Sequence, residues 1–287
     1  MAEPLASTEL LPRFDPAELR GFERLAVPML TAWNRSSVAK RLVYGFVRYV
    51  SHPWIQASIR NRLVESGVSH VAGLRPPRGV LLVANHRTFW DMYVATSVLE
   101  THTSFIRSLY FPVRARFFYD HPLGMVVNGA VSGGSMWPPM FEGFGRQRMN
   151  LTGLLQCAHV LGEPGTVVGI HPEGTRSKRT DPLDLLKARG GVGRVLQACN
   201  PDVLVVPFFL AGLTNDFVAE VRRNFRPEGE RGPPITLAWG RPVRAGDLDL
   251  SRAPVVVARE LLEGIRELGR AALAETPARG APGLPSH

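Results

Sequence analysis

A histidine and an aspartate follow directly after a predicted buried strand. Residues 80–84 are five consecutive apolar side chains behind a Pro-Pro-Arg-Gly turn, a pattern typical of a strand in a parallel sheet. His86 and Asp91 come next, five positions apart. In open α/β sheets, ligands and catalytic groups gather at the carboxyl ends of the strands. The sequence therefore places a candidate acid–base pair where chemistry is expected.

The spacing of His86 and Asp91 limits how they can meet. On one continuous helix, five residues at about 100° each leave two side chains roughly 140° apart. We therefore expect His86 in the loop after the strand and Asp91 in the first turn of the next helix, so that the carboxylate bonds one imidazole nitrogen. A histidine held in this way acts as a general base towards a hydroxyl. The alternative is a capping box in which Thr88 and Asp91 begin the helix and His86 is a bystander.

A second polar cluster follows a second predicted strand, residues 166–170. Its residues are His171, Pro172, Glu173, Gly174, Thr175, Arg176, Ser177, Lys178 and Arg179. The proline and the glycine predict a tight loop. The three basic residues suit a phosphate or phosphoester, and Glu173 can steer Arg176 or contact a hydroxyl. The alternatives are a solvated basic loop and, for His171, simple packing in that loop.

Together the two clusters resemble the PlsC-like glycerolipid acyltransferases, the family of lysophosphatidic acid and glycerol-3-phosphate acyltransferases. The resemblance covers roughly residues 75–240. It is carried by the block from Asn85 to Asp91, with four residues between His86 and Asp91, and by the block Pro172 to Ser177 some 80 residues later. Two lesser similarities are Val205-Val206-Pro207, like a Val-Pro at the end of a strand, and the Lys and Gly of Lys187-Ala-Arg-Gly190.

The resemblance implies an O-acyltransferase. His86 would take the proton from an acceptor hydroxyl as it attacks an acyl thioester, and Asp91 would orient His86. Residues Glu173, Gly174, Thr175 and Arg176 would hold the acceptor, with Arg176 on its phosphate. The donor would be acyl-CoA or acyl carrier protein, used as a co-substrate. The resemblance implies no metal, no other cofactor and no covalent enzyme intermediate.

One departure from the family concerns the acceptor. Its second block normally carries a Gly and an Arg that help to bind glycerol phosphate, whereas residues 129–141 here contain no Arg. Arg146 or Arg148 is a candidate substitute. The acceptor is expected to be a lysophospholipid, 1-acylglycerol 3-phosphate first. A lyso-aminolipid, a glycolipid or a secondary metabolite is the alternative. His171 stands where the family commonly has an aromatic residue.

Apolar runs and helical spacings alternate along the chain, which predicts an α/β fold with a mostly parallel central sheet flanked by helices. We expect strands at residues 80–84, 103–106, 166–170, 203–210 and 235–239, and helices near 92–99, 150–161 and 191–199. Residues 121–141, uncharged but interrupted by prolines and glycines, predict strand and loop and argue against a transmembrane helix.

The predicted α/β domain spans residues 71–245 and is preceded by an N-terminal segment, residues 1–70. That segment begins with a loose tail of about 14 residues and continues with a helix from Asp15 and helices at 37–50 and 53–66. These are basic and amphipathic, so they suit either an anionic membrane surface or the face of the main domain. A docking helix is expected within residues 246–274 and a disordered tail at 275–287.

The composition favours an anionic partner. The formal net charge is +9, and only Lys40, Lys178 and Lys187 among the 34 basic residues are not arginine. Arginine grips phosphate in a planar fork, although a GC-rich genome gives the same bias. Without a recognisable nucleic-acid module, we expect no nucleic acid and instead an anionic membrane surface with a lipid acceptor.

The two cysteines have no disulfide-framework spacing, and the first residues lack the pattern of a signal peptide. We therefore expect a cytoplasmic protein bound peripherally to the inner face of the cell membrane. Two other functions fit the same residues less well. One is a thioester hydrolase in which His86 activates water, and the other is a non-catalytic lipid-binding protein.

Overall fold

The computed structural model describes residues 12–276. Within that range the strands are β1 (Leu63–Ser66), β2 (Val80–Ala84), β3 (Ser108–Tyr110), β4 (Val113–Arg114), β5 (Pro139–Met140), β6 (Thr166–Ile170), β7 (Leu204–Ala211), β8 (Ile235–Trp239) and β9 (Val243–Arg244). The α-helices are α1 (Glu23–Arg35), α2 (Ser37–Phe46), α3 (His52–Ile59), α4 (Asp91–His102), α5 (Ala115–Phe118), α6 (Pro122–Ser132), α7 (Gln147–Val160), α8 (Gly191–Ala198), α9 (Phe217–Asn224) and α10 (Pro254–Glu275). A π-helical turn, Val47–Ser51, joins α2 to α3.

The strands form a mostly parallel sheet, which confirms the predicted α/β class. Their order is β1-β8-β7-β2-β6-β3, with β9 added beside β7. The pairs β1–β8, β7–β2, β2–β6 and β6–β3 are parallel, whereas β8 and β9 run antiparallel to β7. Val83 of β2 pairs with Ile170 of β6, so the two predicted polar clusters leave the sheet side by side at the same edge.

Helices cover both faces of the sheet, and β2 is buried between them along its whole length. The residues Val80, Leu82 and Ala84 join a core with α1 to α4, while Leu81 and Val83 face a second core with α8 and α10. Burial of every side chain of a strand on both faces is typical of a parallel sheet between helical layers. This burial fixes β2 as the scaffold that holds the residues after Ala84.

Two predictions for the N-terminal half of the chain were wrong. The helix expected at 53–66 ends at Ile59, and Leu63–Ser66 is an edge strand, because its backbone pairs with β8 far along the chain. The segment 1–70 thus contributes a strand to the main sheet. The strand expected at 103–106 lies instead at Ser108–Tyr110, where pairing with Thr166 of β6 sets its register.

The first part of the segment 121–141 was misread as strand and loop, although its later residues do form loop and the strand β5. It forms α6, with Pro122 in the first turn, the His121 side chain accepting from the Leu123 N–H and Gly133 in the left-handed conformation at the end. Proline at the start and glycine at the end are ordinary helix punctuation. The internal Gly124 is also required, since a Cβ there would lie 1.7 Å from the Phe117 carbonyl oxygen.

The helices predicted at 92–99, 150–161, 191–199 and 254–274 are present as α4, α7, α8 and α10. Asp15 caps a short 3₁₀ turn, Pro16–Glu18, rather than a long helix. Among residues 12–276, no helix combines the length and apolar character needed to cross a membrane. The predicted tails at 1–14 and 275–287 fall largely outside the described residues.

Candidate active site

His86 and Asp91 meet across the turn between β2 and α4. Asp91 is the first residue of α4, and its Oδ2 lies 3.0 Å from the Nδ1 atom of His86. Asp91 is buried, whereas the His86 side chain retains 20% exposure. Because Nδ1 donates to the carboxylate, Nε2 carries the lone pair. The expected contact between the two residues is therefore present, and it leaves the second nitrogen of His86 as a proton acceptor.

Asp91 is held by the turn that it organises. Its carboxylate accepts hydrogen bonds from the main-chain N–H groups of Arg87 and Thr88 and from the Thr88 hydroxyl, in addition to His86. Burial alone would raise the pKa of Asp91, but the His86 hydrogen bond, the nearby imidazoles and the Thr88 hydroxyl outweigh burial and lower it. The carboxylate stays ionised. The capping interaction and the His86 contact therefore exist together.

The second cluster clamps the backbone of His86. Glu173 Oε2 accepts from the His86 N–H at 2.7 Å, and the Ser177 N–H donates to the His86 carbonyl at 2.8 Å. Glu173 Oε1 accepts from the Leu186 N–H, so both carboxylate oxygens of this buried residue are engaged with main-chain groups. The expected contact of Glu173 with Arg176 is not among the contacts of the described residues. Glu173 positions His86.

Asn85 makes a comparable link on the other side of β2. Its side-chain amide donates to the Leu210 carbonyl and accepts from the Leu210 N–H, at 2.8 and 2.9 Å. The amide thereby continues the β2–β7 pairing one residue past the end of β2. The backbone around His86 is therefore held on one side by Glu173 and on the other by Asn85. The sequence placed Asn85 in the motif, but only the sheet order shows why an amide is needed there.

His171 lies against His86 rather than merely filling its loop. The two imidazole rings stack with centroids 3.8 Å apart and planes 7° from parallel, and His171 Nδ1 is 3.2 Å from the Ala84 carbonyl oxygen. Burial, followed by the charge of His86, lowers the pKa of His171 to about 3, so His171 is neutral. A neutral, fixed ring restricts His86 to one plane. From the sequence, His171 was expected only to pack within its loop.

His86, Asp91 and His171 are close enough to be considered as metal ligands, with one ligand atom of each within 4.8 Å of the others. Imidazole lone pairs lie in the plane of the ring, however, and two stacked, nearly parallel rings cannot both direct a lone pair at one ion. The Asp91 oxygens are also engaged by four donor groups. The arrangement fits a hydrogen-bonded base better than a metal centre.

A cavity of about 480 Å³ opens beside His86. Its apolar wall comes from α4, α7 and the segments on either side of α6, and its polar wall comes from the two clusters and from Arg114 and Arg189. The apolar lining includes Phe89, Met92, Phe111, Val113, Phe118, Met136, Met140, Phe141 and Leu154, and the polar lining includes His171, Thr175, Arg114, Arg176 and Arg189. A pocket of this kind accepts a molecule with a long apolar part and an anionic part.

Residues 68–211 match the protein-family model described as Acyltransferase, which is 144 of the 287 residues. The chain belongs to this acyltransferase family. Among solved structures it is similar to the 1-acyl-sn-glycerophosphate acyltransferase PlsC from Thermotoga maritima, with 16% identity and a TM-score of 0.45 over 86% of this chain and 96% of that chain. No curated protein matches.

The arginines near the site differ in whether they are buried in contacts with the protein or exposed. Arg146, expected to replace the missing block-two arginine, is buried in an ion pair with Glu23 and donates to the Glu18 carbonyl. It is therefore unavailable for a substrate phosphate, which excludes the first of the two candidates, Arg146 and Arg148. Arg148 is exposed on α7. Arg176 is exposed at the pocket, and its Nη1 donates to Asn215 Oδ1 at 2.9 Å.

Proposed function

We propose that this acyltransferase moves a fatty acyl group from acyl-CoA or acyl carrier protein to a hydroxyl of a lysophospholipid-type acceptor. The observation that carries the proposal is the orientation of His86. Its Nδ1 is bonded to buried Asp91, which leaves Nε2 as the acceptor on a residue that lines the pocket. Base, orienting carboxylate and apolar cavity then belong to one site.

In the proposed step, Nε2 of His86 takes the proton from the acceptor hydroxyl while that oxygen attacks the thioester carbonyl. A C–O bond forms, the C–S bond breaks, and the imidazolium returns the proton to the departing thiolate. Asp91 stabilises the imidazolium, and His171 keeps its ring in place. General-base help of this kind contributes about 10²- to 10⁴-fold to a rate.

The proposed acceptor is 1-acylglycerol 3-phosphate. Its phosphate would meet Arg176 at the polar side of the pocket, near Gly174 and Thr175, and its acyl chain or that of the donor would occupy the apolar side. The burial of Arg146 leaves the family's second phosphate contact without its expected residue. A non-phosphoglycerol acceptor is therefore retained as the alternative acceptor for the same chemistry.

We further propose that the enzyme acts on the inner face of the cell membrane as a peripheral protein. Leu25, Met29 and Trp33, spaced four residues apart on α1, are all exposed, as is Leu42 of α2. Arg41 beside Leu42 is exposed as well. Apolar side chains flanked by arginine suit an interface with anionic lipid. Its two free cysteines fit a reducing compartment.

The test is a product analysis with purified protein, palmitoyl-CoA and a panel of acceptors that share one acyl chain and differ in head group. Mass spectrometry should find a new acyl ester of lysophosphatidate. Free palmitate as the sole product would indicate a hydrolase. Binding of lipid with no acyl product from any acceptor, either with palmitoyl-CoA or with palmitoyl carrier protein as donor, would indicate a non-catalytic lipid-binding protein.

A further inference from the structure

Arg189 is fixed beside the loop that carries Arg176. Its N–H donates to the Pro172 carbonyl at 2.7 Å, and its side chain packs on Gly174. Gly174 has a φ of +64°, and a Cβ there would lie 2.9 Å from Arg189 Cδ. The glycine therefore serves both the left-handed turn and the passage of the Arg189 side chain. Arg189 and Arg176 both line the pocket.

The neighbouring arginines are committed to protein partners. Arg87 donates to carbonyl groups of the loop after β6 and to the Ser177 hydroxyl, Arg114 pairs with Glu142, and Arg179 pairs with Asp184. Within residues 12–276, by contrast, the guanidinium of Arg189 has no hydrogen-bond or ion-pair partner. A pocket-lining cation with all its donors free is suited to an anionic ligand.

We propose that Arg189 binds a phosphate group of a substrate, together with Arg176, and so supplies the second cationic contact that Arg146 cannot make. This inference rests on the proposed function for the identity of the substrates. Two sources of phosphate fit the pocket: the phosphomonoester of a lysophosphatidate acceptor and the phosphates of the CoA or carrier-protein donor. A guanidinium recognises either source through the same paired hydrogen bonds.

The experiment measures equilibrium binding to the full chain in the His86→Ala background, so that no turnover is needed. The ligands are a short-chain lysophosphatidate and its matched monoacylglycerol, and an S-alkyl-CoA thioether and its phosphate-free N-acetylcysteamine counterpart. Arg189→Gln removes the positive charge, and Arg189→Lys keeps the charge but cannot form the paired hydrogen bonds of a guanidinium. Arg194→Gln, on the exposed side of α8, is the matched control.

We expect Arg189→Gln to weaken the binding of one phosphorylated ligand about tenfold and Arg189→Lys to weaken it less. The affinity for the matched phosphate-free ligand should not change. Whichever phosphorylated ligand is weakened identifies the source. The inference would be overturned if Arg189→Gln weakened a phosphorylated ligand and its phosphate-free counterpart equally, or if it bound the phosphorylated ligands as tightly as Arg194→Gln does. It would also be overturned if neither phosphorylated ligand bound to the His86→Ala parent. Absence of acyl transfer by the wild-type enzyme would instead count against the proposed function.

Discussion

His86 depends on three contacts that reach it from different directions. Asp91 bonds its ring, Glu173 bonds its main-chain N–H, and His171 covers its face. Each contact restricts a different freedom of the imidazole: its tautomer, its backbone position and the tilt of its plane. In the proposed role of general base, a histidine held in this way would lose little free energy to reorganisation on meeting the hydroxyl. The same three contacts define what single substitutions should do.

The lowered pKa of His171 predicts a pH dependence of stability. A histidine in the unfolded chain has its ordinary pKa of 6.5, whereas burial lowers the pKa of folded His171 to about 3. Between these values the unfolded chain binds more protons, so this residue makes the free energy of unfolding fall as pH decreases. We expect His171→Phe to reduce the difference in unfolding free energy between pH 6.5 and pH 4.5, measured by urea denaturation.

His159→Phe provides the control for that measurement, because His159 is exposed on α7 and does not touch the site. Its pH dependence should match that of the wild type. The same slope in His171→Phe as in His159→Phe would show that His171 is not kept neutral by its place against His86.

The residue types of the site were more predictable than its contacts. The five-residue spacing after a strand was enough to infer that His86 and Asp91 meet across a turn, because a continuous helix excludes their contact. The positions of Glu173 and His171 depend on the neighbouring strand, which lies more than 80 residues away in the chain. Nothing local in the sequence indicates that Glu173 bonds the main chain of His86 or that His171 stacks on it.

At the scale of elements, the site is a junction between the loops that follow β2 and β6. Glu173 links the two loops, because it is buried and its two carboxylate oxygens accept hydrogen bonds from the His86 N–H on one loop and from the Leu186 N–H on the other. An amide cannot replace it fully. The NH₂ group of a glutamine would face one main-chain N–H, leaving a buried donor without an acceptor.

We therefore expect Glu173→Gln to lose about 1–3 kcal/mol of stability, the usual cost of a buried unsatisfied polar group. Its melting temperature should fall by several degrees, and kcat should fall because His86 is displaced. Differential scanning calorimetry and steady-state kinetics measure both. Glu163→Gln, an exposed residue before β6, is the matched control. An unchanged melting temperature in Glu173→Gln would show that Glu173 does not stabilise the contact between the two loops.

Strands buried on both sides were easy to predict, since β2 is a continuous apolar run and β6 and β8 each contain a single threonine as their only polar side chain. Two of the errors have a common cause, which is that the strand with which the segment pairs lies far away in the sequence. Leu63–Ser66 becomes a strand through β8, and Ser108–Tyr110 takes its register from β6. The helix α6 was missed for a different reason, because its proline and glycines were interpreted as loop signals, although Pro122 and Gly133 stand at its two ends and Gly124 at a close contact.

At the scale of the whole molecule, the proposed membrane surface consists of the exposed apolar side chains of α1 and α2. We expect Leu42→Asp, at a position 66% exposed, to lower binding to vesicles that contain phosphatidylglycerol without lowering stability. Co-sedimentation at low and high salt measures the binding, and salt should weaken it because the nearby charge is arginine.

Val218→Asp makes the same change at a similarly exposed position on α9 and is the control. Equal vesicle binding by both variants would mean that α2 does not face the membrane. The net charge of +9 alone predicts weaker binding to anionic vesicles in salt but no difference between these two positions.

The central claim is that His86 is the base for acyl transfer, and its most direct measurement is the rate of acyl-ester formation by His86→Ala. Ester product is quantified by mass spectrometry with palmitoyl-CoA and the best acceptor, beside a His159→Ala control. We predict that His86→Ala lowers kcat by about 10²- to 10⁴-fold at an unchanged melting temperature, while His159→Ala keeps the wild-type rate. A wild-type rate of ester formation in His86→Ala would contradict the account.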